Sequence, residues 1–326
     1  MTVDTQILTA LRGAGEGGVA GTELSHRLGI SRAAIWARID ELRQLGYDIE
    51  ASPHSGYRLV SVPDVLHADD LLSSLGQVKV VGRDIRVFEQ TTSTNDVVEK
   101  LARDNVREGV VVFAESQTKG RGRLGRRWMS PTRKGLWFSI LLRPSMRPVA
   151  ATQLTIAAAT SLFRAIKTQT GLSPEIKWPN DVLINGRKVA GILTELSAEL
   201  DKVKYLILGM GINVNTASTE FPAELRKTVT SLRIETGHRQ HRAALAVSIL
   251  KELDLDYDRI RHGRFEALAD EWEKHCSTLG NHVVIQAGER KLHGRAESLD
   301  ADGALLLRTQ HGHLERIIGG DVTIEK

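Results

Sequence analysis

The stretch GRGRLGRRW, residues 120–128, sets glycines at 120, 122 and 125, the G-x-G-x-x-G spacing of a dinucleotide-binding turn. A strand-like run, GVVVFAESQ (109–117), precedes it. A Rossmann turn also needs a helix opening at the third glycine, so that its dipole meets the pyrophosphate, and an acidic residue about twenty positions on. Here RRWMSPTRKGLWFSILL follows, with Pro131 and then a second strand, and residues 140–150 hold no Asp or Glu. A P-loop fails differently. Gly120 and Gly125 are correctly separated, but Arg126-Arg127 stands where Lys-Ser or Lys-Thr is required. The stretch is therefore a strand-to-strand loop carrying the cations Lys119, Arg121, Arg123, Arg126 and Arg127. Such a run serves either as a solvated basic face or as an anion-binding surface.

Two neighbouring segments narrow the choice. In KWPNDVLINGRKVAGILTE (177–195), Asn185-Gly186 is a two-residue hairpin signal that demands positive φ at both positions. Pairing across it sets Leu183 opposite Lys188, and the pleat then turns Asp181 and Lys188 to one face. That pair is a surface salt bridge of little worth, or a lysine held ready for an anion. In EQTTSTNDVVEK (89–100), Ser93, Thr94 and Asn95 crowd a helix start. Capping explains one of them; it does not explain three, nor Gln117 at the end of the strand that enters the glycine loop.

Further out, IRVFEQ, GVVVFAESQ, GLWFSILLRP, EIKWPNDVLI, RKVAGILTEL and KVKYLILGMGINV read as strands. Helices are expected at STNDVVEKLARD, at ATQLTIAAATSLFRAIKTQT, and from Arg242 to Cys276 with a break near His262-Gly263. The first sixty residues read as three helices and a hairpin. Thr22 caps the second helix and Gly29 ends it, Ser31 caps the third with Ile35, Ile39 and Leu42 on one face, and YDIEASPHSGYRLVS forms a wing. This is a winged helix-turn-helix, whose second motif helix enters a major groove. The segment is not basic overall, so DNA contact falls to a local face: Ser31, Arg32, Ala33, Trp36, Arg38 and Arg43 on the helix, His54 and Arg58 on the wing. Trp36 and Ala37 are unusual groove readers, and the bulky Trp36 is expected to pack on the body or the phosphate backbone. Pro63 marks a linker, with Asp64 capping a short helix beyond it. After Cys276, short strands joined by turns suggest a small β-barrel. The expected class is α+β, with a winged helix-turn-helix over 1–63, a mixed-sheet α/β domain over 64–275 and an SH3-like barrel over 276–326.

The composition is ordinary for a globular chain of 326 residues, with 41% hydrophobic and 26% charged residues. A net charge of +4 is only a weak pointer to a polyanion. The single cysteine, Cys276, permits no intrachain disulfide and suits a reducing cytoplasm. We expect no leader at the N-terminus and no membrane span.

Taken together and in this order, STND, AESQTKGRGRLGRRW, KWPNDVLING, RKVAGIL and GMGINVN closely resemble the biotin protein ligase family. With the helix-turn-helix ahead of them, the chain is similar to the bifunctional ligase and biotin operon repressor members. The resemblance implies that biotin and ATP, with Mg2+, give biotinyl-5'-adenylate, which then biotinylates a lysine of a biotin carboxyl carrier protein domain. It implies catalytic roles for Lys188, Arg123, Arg121 and Asp181. Biotin would be bound by Ser93, Thr94, Asn95, Gln117, Gly120, Arg121, Trp128, Lys188 and Gly191, and the adenylate by Arg121, Arg123, Lys177, Asn180, Lys188 and Asn213. No protein-held metal is implied, because magnesium would arrive on ATP. The segment after Asn213 would order over the adenylate. The family pattern adds a homodimer when adenylate is bound, biotin operon DNA as a partner, a cytoplasmic location and no membrane. Two other readings stay open at this point: a ligase whose N-terminal domain does not read DNA, and a biotin-sensing regulator without catalysis.

Overall fold

The computed structural model describes residues 2–53 and 55–325, so the wing's His54 lies outside the described residues. The chain forms two compact units, 1–77 and 78–326.

In the first unit, α1 (Val3–Ala14), α2 (Gly21–Leu28) and α3 (Arg32–Gln44) precede the antiparallel strands β1 (Asp48–Ser52) and β2 (Gly56–Ser61), and α4 (Ala68–Leu75) follows. Ile7, Leu8, Leu11, Leu24, Ile35, Ile39 and Leu42 recur at helical spacing and form one core with Tyr47 and Ile49. Ser31 caps α3 as its sequence indicates, accepting from the Ala34 amide. Two expected caps are corrected. Helix α2 begins at Gly21 with Ala20 at its N-cap, two residues ahead of Thr22, and α4 begins after His67, with Asp64 left outside it. The seam expected at 63/64 falls inside this unit. Helix α4 is held to α1 by an Arg12–Asp70 ion pair and by Thr5 Oγ1 donating to Asp69 at 2.5 Å, which draws residues 64–77 to the first unit.

The second unit is built on a seven-stranded mixed sheet of order β3-β4-β5-β9-β8-β7-β6. Its strands are β3 (Asp84–Thr91), β4 (Val110–Gln117), β5 (Gly135–Leu142), β6 (Glu175–Lys177), β7 (Asp181–Ile184), β8 (Arg187–Glu199) and β9 (Lys202–Asn213). Only β3 and β4 pair in parallel. The expected single strand over EIKWPNDVLI is two, because a turn at 178–180 folds β7 back on β6 with Lys177 opposite Asp181. Helix α5 (Thr94–Arg103) packs Val98 and Ala102 against Val110, Val112, Leu141 and Ile207. Helix α6 (Thr152–Thr170) is apolar over most of its surface because it is buried over most of it. With the preceding turn it is long and apolar enough to cross a membrane, but 72% of that window is buried inside the protein. A short α7 (Leu232–Thr236) leads to α8 (Arg242–Arg261) and α9 (Glu266–His275), separated at 262–265 close to the expected break. Where α8 begins, fully buried Arg242 forms a two-toothed ion pair with buried Glu115 of β4. The remaining strands are β10 (His282–Ala287), β11 (Arg290–Leu299), β12 (Leu305–Thr309), β13 (Leu314–Ile317) and β14 (Asp321–Ile324). They form an antiparallel five-stranded sheet of order β13-β12-β11-β10-β14.

Candidate functional site

The Asn185-Gly186 turn has φ of 51° and 71°, as its sequence requires. Leu183 pairs with Lys188, and a bulge between 182 and 183 sets Asp181 opposite Gly191. Lys188 and Asp181 consequently share a face, with Nζ 2.6 Å from Asp181 Oδ1. The ammonium also stands 5.2 Å from the centre of the Trp128 ring, a cation–π contact. Trp128 lies flat on bare backbone. A Cβ on Gly211 would meet its Nε1 at 2.5 Å, and one on Gly191 would meet its Cζ3 at 2.9 Å. Those two glycines are cross-strand partners on β8 and β9. The missing side chains cut a slot into the sheet, and the indole fills one end of it.

The crowded helix start forms the polar floor. Ser93, Thr94 and Asn95 are all buried. Gln117 Oε1 accepts from the Thr94 amide at 2.8 Å and from its hydroxyl at 3.2 Å, and Gln117 Nε2 donates to Ser130 Oγ at 2.8 Å. The Thr94 and Ser139 hydroxyls are 2.6 Å apart, and Ser139 donates to Asn95 Oδ1. Thr94 and Asn95 are thus explained by a network, while Ser93 stands at the N-cap position without a side-chain cap hydrogen bond.

The glycine-arginine loop is a small hairpin of its own. Trp128 N donates to Gly120 O at 2.8 Å and Gly122 N to Arg126 O at 2.6 Å, and the turn passes through left-handed Leu124 and Gly125. Gly120 has no room for a Cβ, which would lie 2.5 Å from Trp128 O. Arg123 reaches inward and donates to Asn180 Oδ1 at 2.9 Å; burial pulls its pKa down despite the charges of Asp321 and Asp181. Arg126 pairs with Asp321 of β14. Arg121 lines the cavity, yet its guanidinium is held by carboxylates: Nε and Nη2 on Glu195 at 3.1 and 3.2 Å, Nη1 on Asp96 at 2.5 Å. Lys119 is exposed beside the loop.

These groups surround one cavity of about 620 Å³, to which Ser93, Thr94, Asn95, Gln117, Arg121, Arg123, Trp128, Lys177, Asn180, Asp181, Lys188, Gly191 and Asn213 all contribute. Of the expected ligand-binding residues only Gly120 is not part of its wall; it stands behind it. Asn180 donates to Ile192 O at 2.7 Å, and Asn213 to Thr230 O at 3.0 Å. The segment after Asn213 covers the site: Phe221, Leu225, Thr228 and Val229 face the cavity, and Lys188 exchanges backbone hydrogen bonds with Thr228 and Thr230. Glu220 helps to fix it through the Ala217 amide and Lys134, at 2.7 and 2.9 Å, and both hold its carboxyl below the ordinary range. Sequence reading missed Trp178, Met129 and Met210 in the wall, and Asp321, Val322 and Thr323 contributed by β14. Nothing local marks those last three, because they arrive from nearly two hundred residues downstream of the loop.

In the first unit, Ser31, Arg32, Ala33, Trp36 and Ala37 are exposed along α3. Trp36 is 59% exposed, so of the two expected places for it, packing into the core of its own unit is not found. Arg43 also leaves the candidate face, since Nε and Nη2 both donate to Ile49 O and tie α3 to the wing. Arg38 pairs with Glu41 at 2.7 Å, and Arg58 with Glu50 at 2.6 Å across β1 and β2.

A model described as the biotin/lipoate A/B protein ligase family matches residues 87–213. An HTH domain model matches residues 4–58, and a biotin protein ligase C-terminal domain model matches residues 278–324. The chain is 37% identical to the bifunctional ligase/repressor BirA of Bacillus spizizenii over 99% of both chains. It is 30% identical to the protein of that name from Escherichia coli, over 94% of this chain and 92% of that one. Among solved structures, the biotin protein ligase of Aquifex aeolicus in complex with biotin and ATP aligns with a TM-score of 0.64 at 32% identity, covering 75% of this chain and 99% of that one.

Proposed function

The chain belongs to the biotin protein ligase family, in its bifunctional ligase/repressor form, and from that premise we propose how its cavity works. The protein is an ATP-dependent biotin ligase. In the first step a biotin carboxylate oxygen attacks the α-phosphorus of ATP, a C–O–P anhydride forms and pyrophosphate leaves. In the second the amine of a carrier lysine attacks the acyl carbon, the amide C–N bond forms and AMP departs.

The observation that carries this reading is Lys188 poised 2.6 Å from Asp181 over Trp128, in the same cavity as the Thr94–Gln117 floor. A carboxylate and an α-phosphate repel as they approach, and a fixed cation between them lowers that barrier. Lys188 takes this role, with Arg123 and Lys177 on the phosphates and Asn180 and Asn213 at the nucleoside end. Thr94, Asn95, Gln117 and Ser93 suit a ureido ring, which offers one carbonyl and two N–H groups, and Trp128 over Gly191 gives the apolar ring a flat wall. Asp181 holds Lys188 and is the nearest base for an incoming amine. Magnesium comes with ATP, keeping mostly water and phosphate ligands; among the described residues no cluster of His, Cys, Asp and Glu could hold a metal. A cytoplasmic location belongs to the same proposal, because ATP is the co-substrate.

Incubation with labelled biotin, MgATP and a biotin carboxyl carrier domain tests the reading directly. Label on the carrier lysine is expected, and no label together with no pyrophosphate release overturns it. For the repressor arm we propose that adenylate promotes a homodimer in which Arg32, Ala33 and Trp36 face the groove, with Arg38 and Arg58 toward phosphate. A gel shift on DNA upstream of biotin genes should strengthen with biotin and MgATP and weaken in W36A; indifference to both counts against repression.

A further inference from the structure

Glu195 carries no part of the reading above, yet it stands where two networks meet. Its carboxylate takes Arg121 in a fork at 3.1 and 3.2 Å, and one of the same oxygens accepts from Asn95 Nδ2 at 2.7 Å. Asn95 is buried and continues through Ser139 and Thr94 to Gln117 and Ser130. An unbroken hydrogen-bonded chain therefore runs from the root of the glycine-arginine loop to the polar floor of the cavity. Asp96 closes the clamp on the other side of Arg121 and is itself held by the Thr92 hydroxyl at 2.9 Å.

We propose that Glu195 is a positioning residue for the loop: it anchors Arg121 and, through Asn95, makes the loop's closed position depend on how the floor is occupied. Three features support this. A forked guanidinium–carboxylate pair fixes orientation as well as distance. Burial opposes Arg121's charge, and Glu195 and Asp96 more than offset it, so the guanidinium stays charged and oriented. The floor is also closely linked, since Thr94, Asn95, Gln117, Ser130 and Ser139 are each already hydrogen-bonded to a neighbour. A ligand that bonds Thr94 or Gln117 must redistribute those bonds, and Asn95–Glu195 is the exit of the chain toward the loop. Arg121 then works as the hinge pin of the loop, while phosphate contact falls to Arg123, Lys177 and Lys188.

The inference rests on the ligase reading, and the test separates the two. Kinetics of biotin-dependent pyrophosphate release are measured for wild type, E195Q, R121Q and the double variant, alongside melting temperature. Trypsin cleavage after Arg123, Arg126 and Arg127 is followed with and without biotin. E195Q keeps the side-chain volume and an acceptor for Asn95 but loses the charge that holds Arg121. We expect kcat/KM to fall by about tenfold in E195Q, and the double variant to be no worse than R121Q alone. Biotin should slow cleavage of the wild-type loop and fail to slow it in E195Q, at an unchanged melting temperature. A full E195Q effect in the R121Q background, or biotin protection retained in E195Q or absent from the wild type, overturns the inference. Wild type that binds biotin and protects its loop but releases no pyrophosphate would overturn the ligase reading while leaving the anchor standing.

Discussion

Replacing Lys188 with methionine removes one charge and leaves another. The ammonium sits 2.6 Å from Asp181 Oδ1 and about a third exposed in the cavity wall, so the pair is close to neutral before substrate enters. In K188M the cavity keeps an uncompensated carboxylate at the point where the biotin carboxylate and α-phosphate must meet. The lost contact to the developing charge costs on the order of 100-fold to 1000-fold in rate. To this is added repulsion from Asp181: for charges about 8 Å apart at an effective dielectric of about 20, Coulomb's law gives ~2 kcal/mol, roughly thirtyfold. K188M should accordingly lose about 10⁴-fold in biotin-dependent pyrophosphate release, more than a missing hydrogen bond alone explains. Adding D181N to K188M removes the stranded charge and should recover roughly tenfold or more, although D181N alone slows the enzyme. The assay is pyrophosphate release at saturating ATP across a biotin titration. K188M within threefold of wild type, or a double variant slower than K188M, refutes the placement of Lys188 between two anions.

Other consequences follow from the packing. In G211A a Cβ would press on Trp128 Nε1 at 2.5 Å, so the indole must leave its slot; the biotin KM should rise at least about tenfold with the melting temperature nearly unchanged, measured by titration and thermal scan. In E115Q the fully buried Arg242 loses its charged partner, which should destabilise the second unit by about 3–5 kcal/mol in denaturant unfolding, while joint replacement of both residues by apolar ones of similar volume should cost less. Glu220's carboxyl is held below its ordinary value of 4.5, so its contribution to the covering segment is complete above about pH 4.5 and is lost as pH falls through the lowered folded value. Hydrogen-exchange protection over residues 217–230 should therefore differ between wild type and E220Q at pH 6, and the difference should shrink as pH falls below about 4.5. No difference at pH 6 would mean that Glu220 fixes nothing.

What could be read in the chain before its structure was whatever is encoded locally. Asn185-Gly186 dictates its own turn, the turn dictates the register, and the register brings Lys188 to Asp181. Ser31 likewise fixes a helix start, and Gly29 a helix end. Reading failed where several local solutions cost nearly the same. Thr22 and Asp64 are good caps, but tertiary packing started α2 and α4 elsewhere, and cap preferences of about 1 kcal/mol do not outweigh core burial. It was silent again where a partner is brought up only by folding. Arg43 is tied to the Ile49 carbonyl when the wing folds back, and Arg121, in the cavity wall as expected, is also held there by Glu195, which β8 delivers. Charge shows in a sequence, and prior engagement of that charge does not. The edge of the first unit shows a related limit: Pro63 breaks the pattern, but α4 returns to α1 through Asp69 and Asp70.

The slot under Trp128 makes the two sides of the pocket different in kind. Gly191 and Gly211 present main chain fixed by a ladder on both sides, a surface with no rotamers to change. The rest of the lining, with Trp128 laid over those glycines, residues 121–127 and residues 221–229, is made of side chains and loops that can reset. Beneath the indole there is only main chain, so no side chain can move aside to deepen the slot, and its depth changes only if Trp128 moves. Variants that accept altered biotins should arise on the adjustable wall, where a side chain can be trimmed, because on the rigid one there is nothing left to remove.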